Sequence, residues 1–126
     1  MNDLIKPTSI ATPQQYRAAL LAVRARMTEV QLKMLQAHCQ SEDHSASMNR
    51  LAETAGLPAG SGAGIRYSNL AHWIADELKF TPGADKKKQR WLDALAYVRP
   101  DGMVDDQDEW VMRPELVETL QAMKWA

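Results

Sequence analysis

The residues best suited to chemistry lie between Arg66 and Arg90. Arg66, Ser68, Asn69 and His72 fall, on a helix, away from the apolar stripe Tyr67, Leu70, Ala71, Ile74 and Leu78. Arginine offers paired donors that match guanine O6 and N7, and asparagine makes the equivalent pair with adenine. Placed near the start of a helix, these side chain types suit the reading of base edges in a major groove. Lys86, Lys87, Lys88 and Arg90 follow as a basic run suited to phosphates, which supply affinity but no sequence information. Arg66, Asn69 and Lys79 would equally serve as the solvated face of an amphipathic helix, and the sequence leaves both readings open. Trp73 borders the apolar stripe and reads as core rather than as a stacking platform.

The elements that would position these residues form a helix-turn-helix. Met48, Leu51, Ala52 and Ala55 recur at helical spacing, and Gly56 is placed to end that helix in a left-handed turn. The second half begins near Ile65. Between them Leu57 to Gly64 is rich in small residues, but Gly60, Gly62 and Gly64 do not match a dinucleotide fingerprint, no strand precedes them, and a Gly-Lys-Ser/Thr ending is absent. The segment reads as a long connector whose amides, with the start of the next helix, are placed to touch a phosphate.

Upstream, Thr12-Pro13-Gln14-Gln15 and Thr28-Glu29-Val30-Gln31 each carry the pattern of a capping box, predicting two helices with a break near Arg26 and Met27. Tyr16, Leu20 and Val23 are the expected buried stripe of the first. In the second, Leu32, Leu35 and Cys39 share one face, with Met34 and His38 flanking it. Ser41 to Ala46 reads as a loop and residues 47–56 as the third helix.

Downstream, Trp91 to Val98 reads as a mostly buried strand, although Ala94 and Ala96 would also permit a helix. Pro100-Asp101-Gly102 signals a turn. Trp110-Val111-Met112 suits the return strand, and Arg113-Pro114-Glu115 opens a final helix whose core face is Leu116, Val117, Leu120 and Met123, sealed by Trp125. The order predicts a mainly α protein with a small β-hairpin, a winged helix-turn-helix spanning 12–126 as one domain behind an N-terminal arm of residues 1–11.

Composition narrows the function classes. The 126 residues, 45% hydrophobic and 25% charged, can bury a core without staples. Cys39 has no partner in the chain, and His38, His44 and His72 fall on different predicted elements, so no metal set is expected. The acids from Asp105 to Glu109 lack the central glycine and terminal glutamate of a calcium loop. No nucleophile-elbow pattern is present. We therefore expect no catalytic residue, no cofactor and no enzyme, with an enzyme built around an unrecognised cleft as the remaining alternative. The absence of a long apolar run or a signal-like start predicts no membrane partner and a cytoplasmic protein, monomeric or homodimeric.

Charge is unevenly spread. Residues 61–90 hold six Lys/Arg against three Asp/Glu, whereas residues 91–126 hold three against eight. Asp101, Asp105, Asp106, Asp108 and Glu109 fall near the tip of the expected wing, where they would repel a duplex. Two partner classes follow: double-stranded DNA read by the second helix, or a basic protein held by the acidic hairpin of an adaptor or inhibitor.

The run Met27-Thr-Glu-Val-Gln-Leu-Lys-Met-Leu-Gln-Ala-His38, with Leu51-Ala-Glu-Thr-Ala-Gly56, Arg66-Tyr-Ser-Asn-Leu-Ala71 and Trp110-Val-Met-Arg-Pro-Glu-Leu-Val117, resembles a small bacterial domain. That domain occurs in stand-alone proteins and ahead of HNH-type nuclease domains in some restriction-type enzymes. The resemblance covers most of residues 12–126 and implies DNA recognition, in trans or in cis, in defence or on mobile elements. The chain carries no HNH motif, so the resemblance implies no nuclease activity.

Overall fold

The first helix begins where a capping box dictates. Thr12 Oγ1 accepts the Gln15 amide at 3.1 Å and Gln15 Oε1 accepts the Thr12 amide at 2.8 Å, satisfying two donors that would otherwise be orphaned. A computed structural model describes residues 9–58, 62–81, 84–85, 88–89, 91–104 and 107–126, with backbone alone for 84–85, 88–89, 99–104 and 107–108. Helix α1 (Pro13–Val23) buries Tyr16, Ala19, Leu20 and Val23. Helix α2 (Glu29–Gln40) repeats the device, with Thr28 and Gln31 as the reciprocal pair.

After α2 a 3₁₀ turn (Glu42–His44) leads to strand β1 (Ser45–Ser47), where a loop is expected from the sequence. All three strand residues are buried, and each pairs antiparallel with a strand more than sixty residues later. Helix α3 (Met48–Thr54) is capped by Ser47, whose hydroxyl accepts the Arg50 amide. It ends in a Schellman turn: Gly56 takes φ 81°, its amide bonds Glu53 O, and the Leu57 amide reaches back to Ala52 O. Helix α4 (Ala63–Leu78) starts two residues before Ile65 and buries Ala63, Tyr67, Leu70, Ala71, Ile74 and Ala75.

Strands β2 (Ala84–Asp85) and β3 (Lys88–Gln89) pair with each other. The expected strand from Trp91 divides in two. Trp91–Ala94 is a 3₁₀ turn, and only from Ala96 does the chain extend as β4 (Ala96–Val104). The turn is held from outside: Tyr16 Oη donates to Ala94 O at 2.7 Å and Arg113 Nε to Asp93 O at 2.8 Å. Leu92, Ala94 and Leu95 are all buried, a run that alternating strand geometry on a one-sided sheet would not allow. Strand β5 (Gln107–Met112) returns beside β4, and helix α5 (Pro114–Ala122) closes the chain.

The protein is thus mainly helical, with five α-helices among the described residues and a small antiparallel sheet in the order β1-β5-β4. Tyr16, Leu20, Leu35, Leu51, Tyr67, Leu70, Ile74, Leu95 and Leu116 meet in one core, drawing every α-helix onto it. Thr119 Oγ1 donates to Pro13 O, and Gln36 Nε2 to Trp125 O, so α5 and its tail are tied to α1 and α2. Trp125 is half-buried, with the Arg24 guanidinium 5.8 Å from its ring centroid. Among the described residues no helix is long and apolar enough to cross a membrane.

Helix α4 ends at Lys79, which sits in left-handed conformation at φ 58° while the Phe80 amide bonds Ala75 O. A side chain in that region costs about 1 kcal/mol or more, and glycine relieves it at some cost in unfolded-state entropy. Lys79→Gly is therefore expected to raise stability by roughly 0.5–1 kcal/mol in urea denaturation. A loss would show that the lysine side chain supplies more than the turn costs it.

Candidate nucleic-acid interface

Helix α4 is fixed from beneath by two buried polar contacts. Gln31, only 3% exposed, uses its carbonyl for the α2 capping box and donates through Nε2 to the Arg66 carbonyl at 2.9 Å. Two turns further along α2, His38 is fully buried, with Nδ1 2.9 Å from the Tyr67 hydroxyl and Nε2 2.8 Å from the Trp110 carbonyl. A carbonyl can only accept, so Nε2 carries the proton and Nδ1 accepts from Tyr67. Burial pushes the His38 imidazole down to about 4, which keeps it neutral. The chain Tyr67 to His38 to Trp110 ties α4, α2 and β5 together.

His38 was expected beside the buried face of α2. Instead the buried set is Gln31, Met34, Leu35, His38 and Cys39, while Leu32 is half-buried. Satisfying both ring nitrogens removes the penalty that would hold an imidazole at the surface. No local pattern carries that signal, because the partners come from α4 and β5.

With its inner face so held, α4 presents Ile65, Arg66, Asn69, Asp76 and Glu77 as exposed side chains and Ser68, His72 and Trp73 as half-buried ones. Arg66 and Asn69 make no side-chain hydrogen bond or ion pair among the described residues. Ile65 is 69% exposed, more than any other large apolar side chain described, where the sequence marks it only as the start of the helix.

His72 differs from the other expected readers. Its ring stacks on Trp91 at 3.8 Å between centroids and 13° between planes, and Nε2 lies 3.6 Å from Asp76 Oδ1. Trp73 packs against the core with the Arg26 guanidinium 4.9 Å from its ring centroid, consistent with its expected place at the edge of the apolar stripe.

The start of α4 is uncapped by any side chain. Gly62 occupies the cap position at φ 83°, and among the described residues the first amide paired back is that of Arg66, to Gly62 O at 3.1 Å. The amides of the first turn lie at the positive end of the helix dipole, beside Arg66. The acids on the same helix lie at its other end: Ile65 and Asp76 are eleven residues apart, about 16 Å along the axis.

Lys86, Lys87, Lys88 and Arg90 have side chains outside the described residues, as do Asp101, Asp105, Asp106 and Asp108. Of these, the backbone of Lys88 pairs with Asp85 in the β2–β3 ladder, that of Asp101 lies in β4, and that of Asp108, in β5, pairs with Met103. Glu109 lies in β5 opposite Ser47 and is half-buried. Among the described residues no three His, Cys, Asp or Glu side chains gather to hold a metal ion. Neither a protein-family model, nor a curated protein, nor a solved structure matches the chain.

Proposed function

We propose that the chain is a DNA-binding winged helix-turn-helix protein that reads duplex DNA with the N-terminal half of α4. The observation that carries this reading is the pair Arg66 and Asn69, unengaged among the described residues, on a helix whose opposite face is pinned to α2 and, through His38, to β5. Rigid presentation of unengaged planar donors is what base reading requires, since a loose side chain loses the geometric selectivity of paired hydrogen bonds.

Two further features support it. The helices α2, α3 and α4 are followed by the β4–β5 hairpin, and β1, inserted between α2 and α3, completes that hairpin as a three-stranded sheet. This is the connectivity in which a third helix is free to enter a groove while a wing lies beside it. The helix also offers its positive end and Arg66 first, keeping Asp76 and Glu77 about three turns back from the bases. Lys86, Lys87, Lys88 and Arg90, close behind α4 in the chain, are assigned to the phosphate backbone.

The test is titration of a fluorescent duplex at 50 and 200 mM salt. Binding that falls steeply with salt is expected, with Arg66→Ala weakening it about tenfold or more on a preferred site. Absence of binding at the lower salt would remove this function. Capture of a basic protein, lost when Asp105, Asp106 and Asp108 become Asn, would then assign the acidic hairpin as the working surface.

A further inference from the structure

Ile65 is the most exposed large apolar side chain among the described residues. A β-branched aliphatic side chain 69% exposed in the first turn of α4 leaves apolar surface in water, and it stands beside two polar side chains, Arg66 and Asn69, that have no partner among the described residues. Ile65 and Asn69 are one turn apart on the same outward face, so their Cβ atoms are about 5–6 Å from each other. The axial spacing of stacked base pairs is about 3.4 Å, so side chains that far apart meet different, neighbouring base pairs.

Within a major groove the one apolar group that distinguishes base pairs is the methyl on pyrimidine C5. Resting on the reading of α4 as the recognition helix, we propose that Ile65 is a specificity-determining residue that packs against a pyrimidine 5-methyl group one or two base pairs from an adenine held by Asn69. Thymine carries that methyl group, and so does a cytosine methylated at C5. The occupant is duplex DNA rather than an apolar protein surface because Arg66 and Asn69 border the isoleucine with donors that have no partner among the described residues, at the positive end of the helix dipole. An apolar protein surface would bury those groups without partners, at a cost that the exposed isoleucine alone would not offset.

The experiment starts with in vitro selection of a binding duplex from a random-sequence pool, using the full chain. The selected duplex is then resynthesised with uracil in place of each thymine in turn, and in a second series with 5-methylcytosine in place of that thymine, its partner changed to guanine. Removal of the one contacted methyl is expected to weaken binding about fourfold, the worth of one buried methyl group.

In the 5-methylcytosine series, retained affinity would identify the methyl alone as the recognised feature, and loss would identify the whole thymine; either supports the contact. Ile65→Ala should bind the thymine and uracil duplexes equally, while Arg66→Ala keeps the preference. The exposed isoleucine is not needed for folding, so the variant reports on contact alone. Tight selected binding with no uracil effect at any position, or the same uracil effect in Ile65→Ala, would overturn the inference while leaving DNA binding intact. A pool from which nothing is selected would overturn both.

Discussion

Lowering the pH from 7 to 4 is expected to cost this protein about 3 kcal/mol of stability through His38 alone. Burial holds the imidazole down to about 4, against about 6.5 for an ordinary histidine, so over that interval the unfolded chain takes up a proton that the folded chain refuses. Stability is complete above the unfolded value and is lost as the pH falls through the folded one. Each unit of displacement is worth about 1.4 kcal/mol, which sets the size of the loss. Protonation at Nδ1 would turn the acceptor of the Tyr67 hydroxyl into a donor, leaving two hydrogens facing each other in a fully buried site. The neighbouring His44 disfavours a positive charge on His38 and acts in the same direction as burial.

The control is His38→Leu. At pH 7 it should lose about 2–4 kcal/mol, since a fully buried tyrosine hydroxyl loses its acceptor and the Trp110 carbonyl loses a donor. It should also lose the acid sensitivity, so that urea curves of variant and parent converge near pH 4. Parallel curves across the interval would show that the carboxylates, common to both, account for the acid effect. Pairing the variant with Tyr67→Phe should recover part of the loss, because the orphaned hydroxyl goes with its partner.

His38 also marks where local sequence information stops. The starts of α1 and α2 were legible because their caps are complete within four residues, Thr12 to Gln15 and Thr28 to Gln31. The end of α3 was legible because only glycine takes the left-handed turn at Gly56 without strain, and α5 because Pro114 stands at its first position. The helical order and the hairpin follow from such signals.

Strand β1 was not legible. Three residues are too few for alternation to show, and Ser-Ala-Ser has no strand preference; it is a strand because Val111, Trp110 and Glu109 pair with it. The 3₁₀ turn at Trp91 is likewise made by Tyr16 and Arg113, distant donors that claim its carbonyls. Of the candidate interface, Arg66 and Asn69 were legible as outward residues from helical period alone. The stacking of His72 on Trp91 and the exposure of Ile65 depend on what the rest of the chain leaves uncovered around α4.

Changing Lys86, Lys87 and Lys88 together to Gln should weaken binding to any duplex on the order of a hundredfold at 0.1 M salt. It should also lower the slope of log affinity against log salt by about 2.7, roughly 0.9 for each phosphate contact removed. The loss should be the same on a selected site and on random DNA, because counterion release is indifferent to base sequence. Arg66→Ala should behave otherwise: a slope change of at most about one contact, and a loss confined to the selected site. The two variants divide affinity from reading, and the division follows from chemistry. A guanidinium can pair two acceptors on one base edge, while an ammonium on a flexible stem acts as a point charge. If the lysine variant lost only selected-site binding, the basic run would be lying in the groove and α4 would be displaced from it. If neither variant changed the salt slope, the surface that meets DNA would lie elsewhere on the fold, and the acidic half of the chain would become the better place to seek a partner.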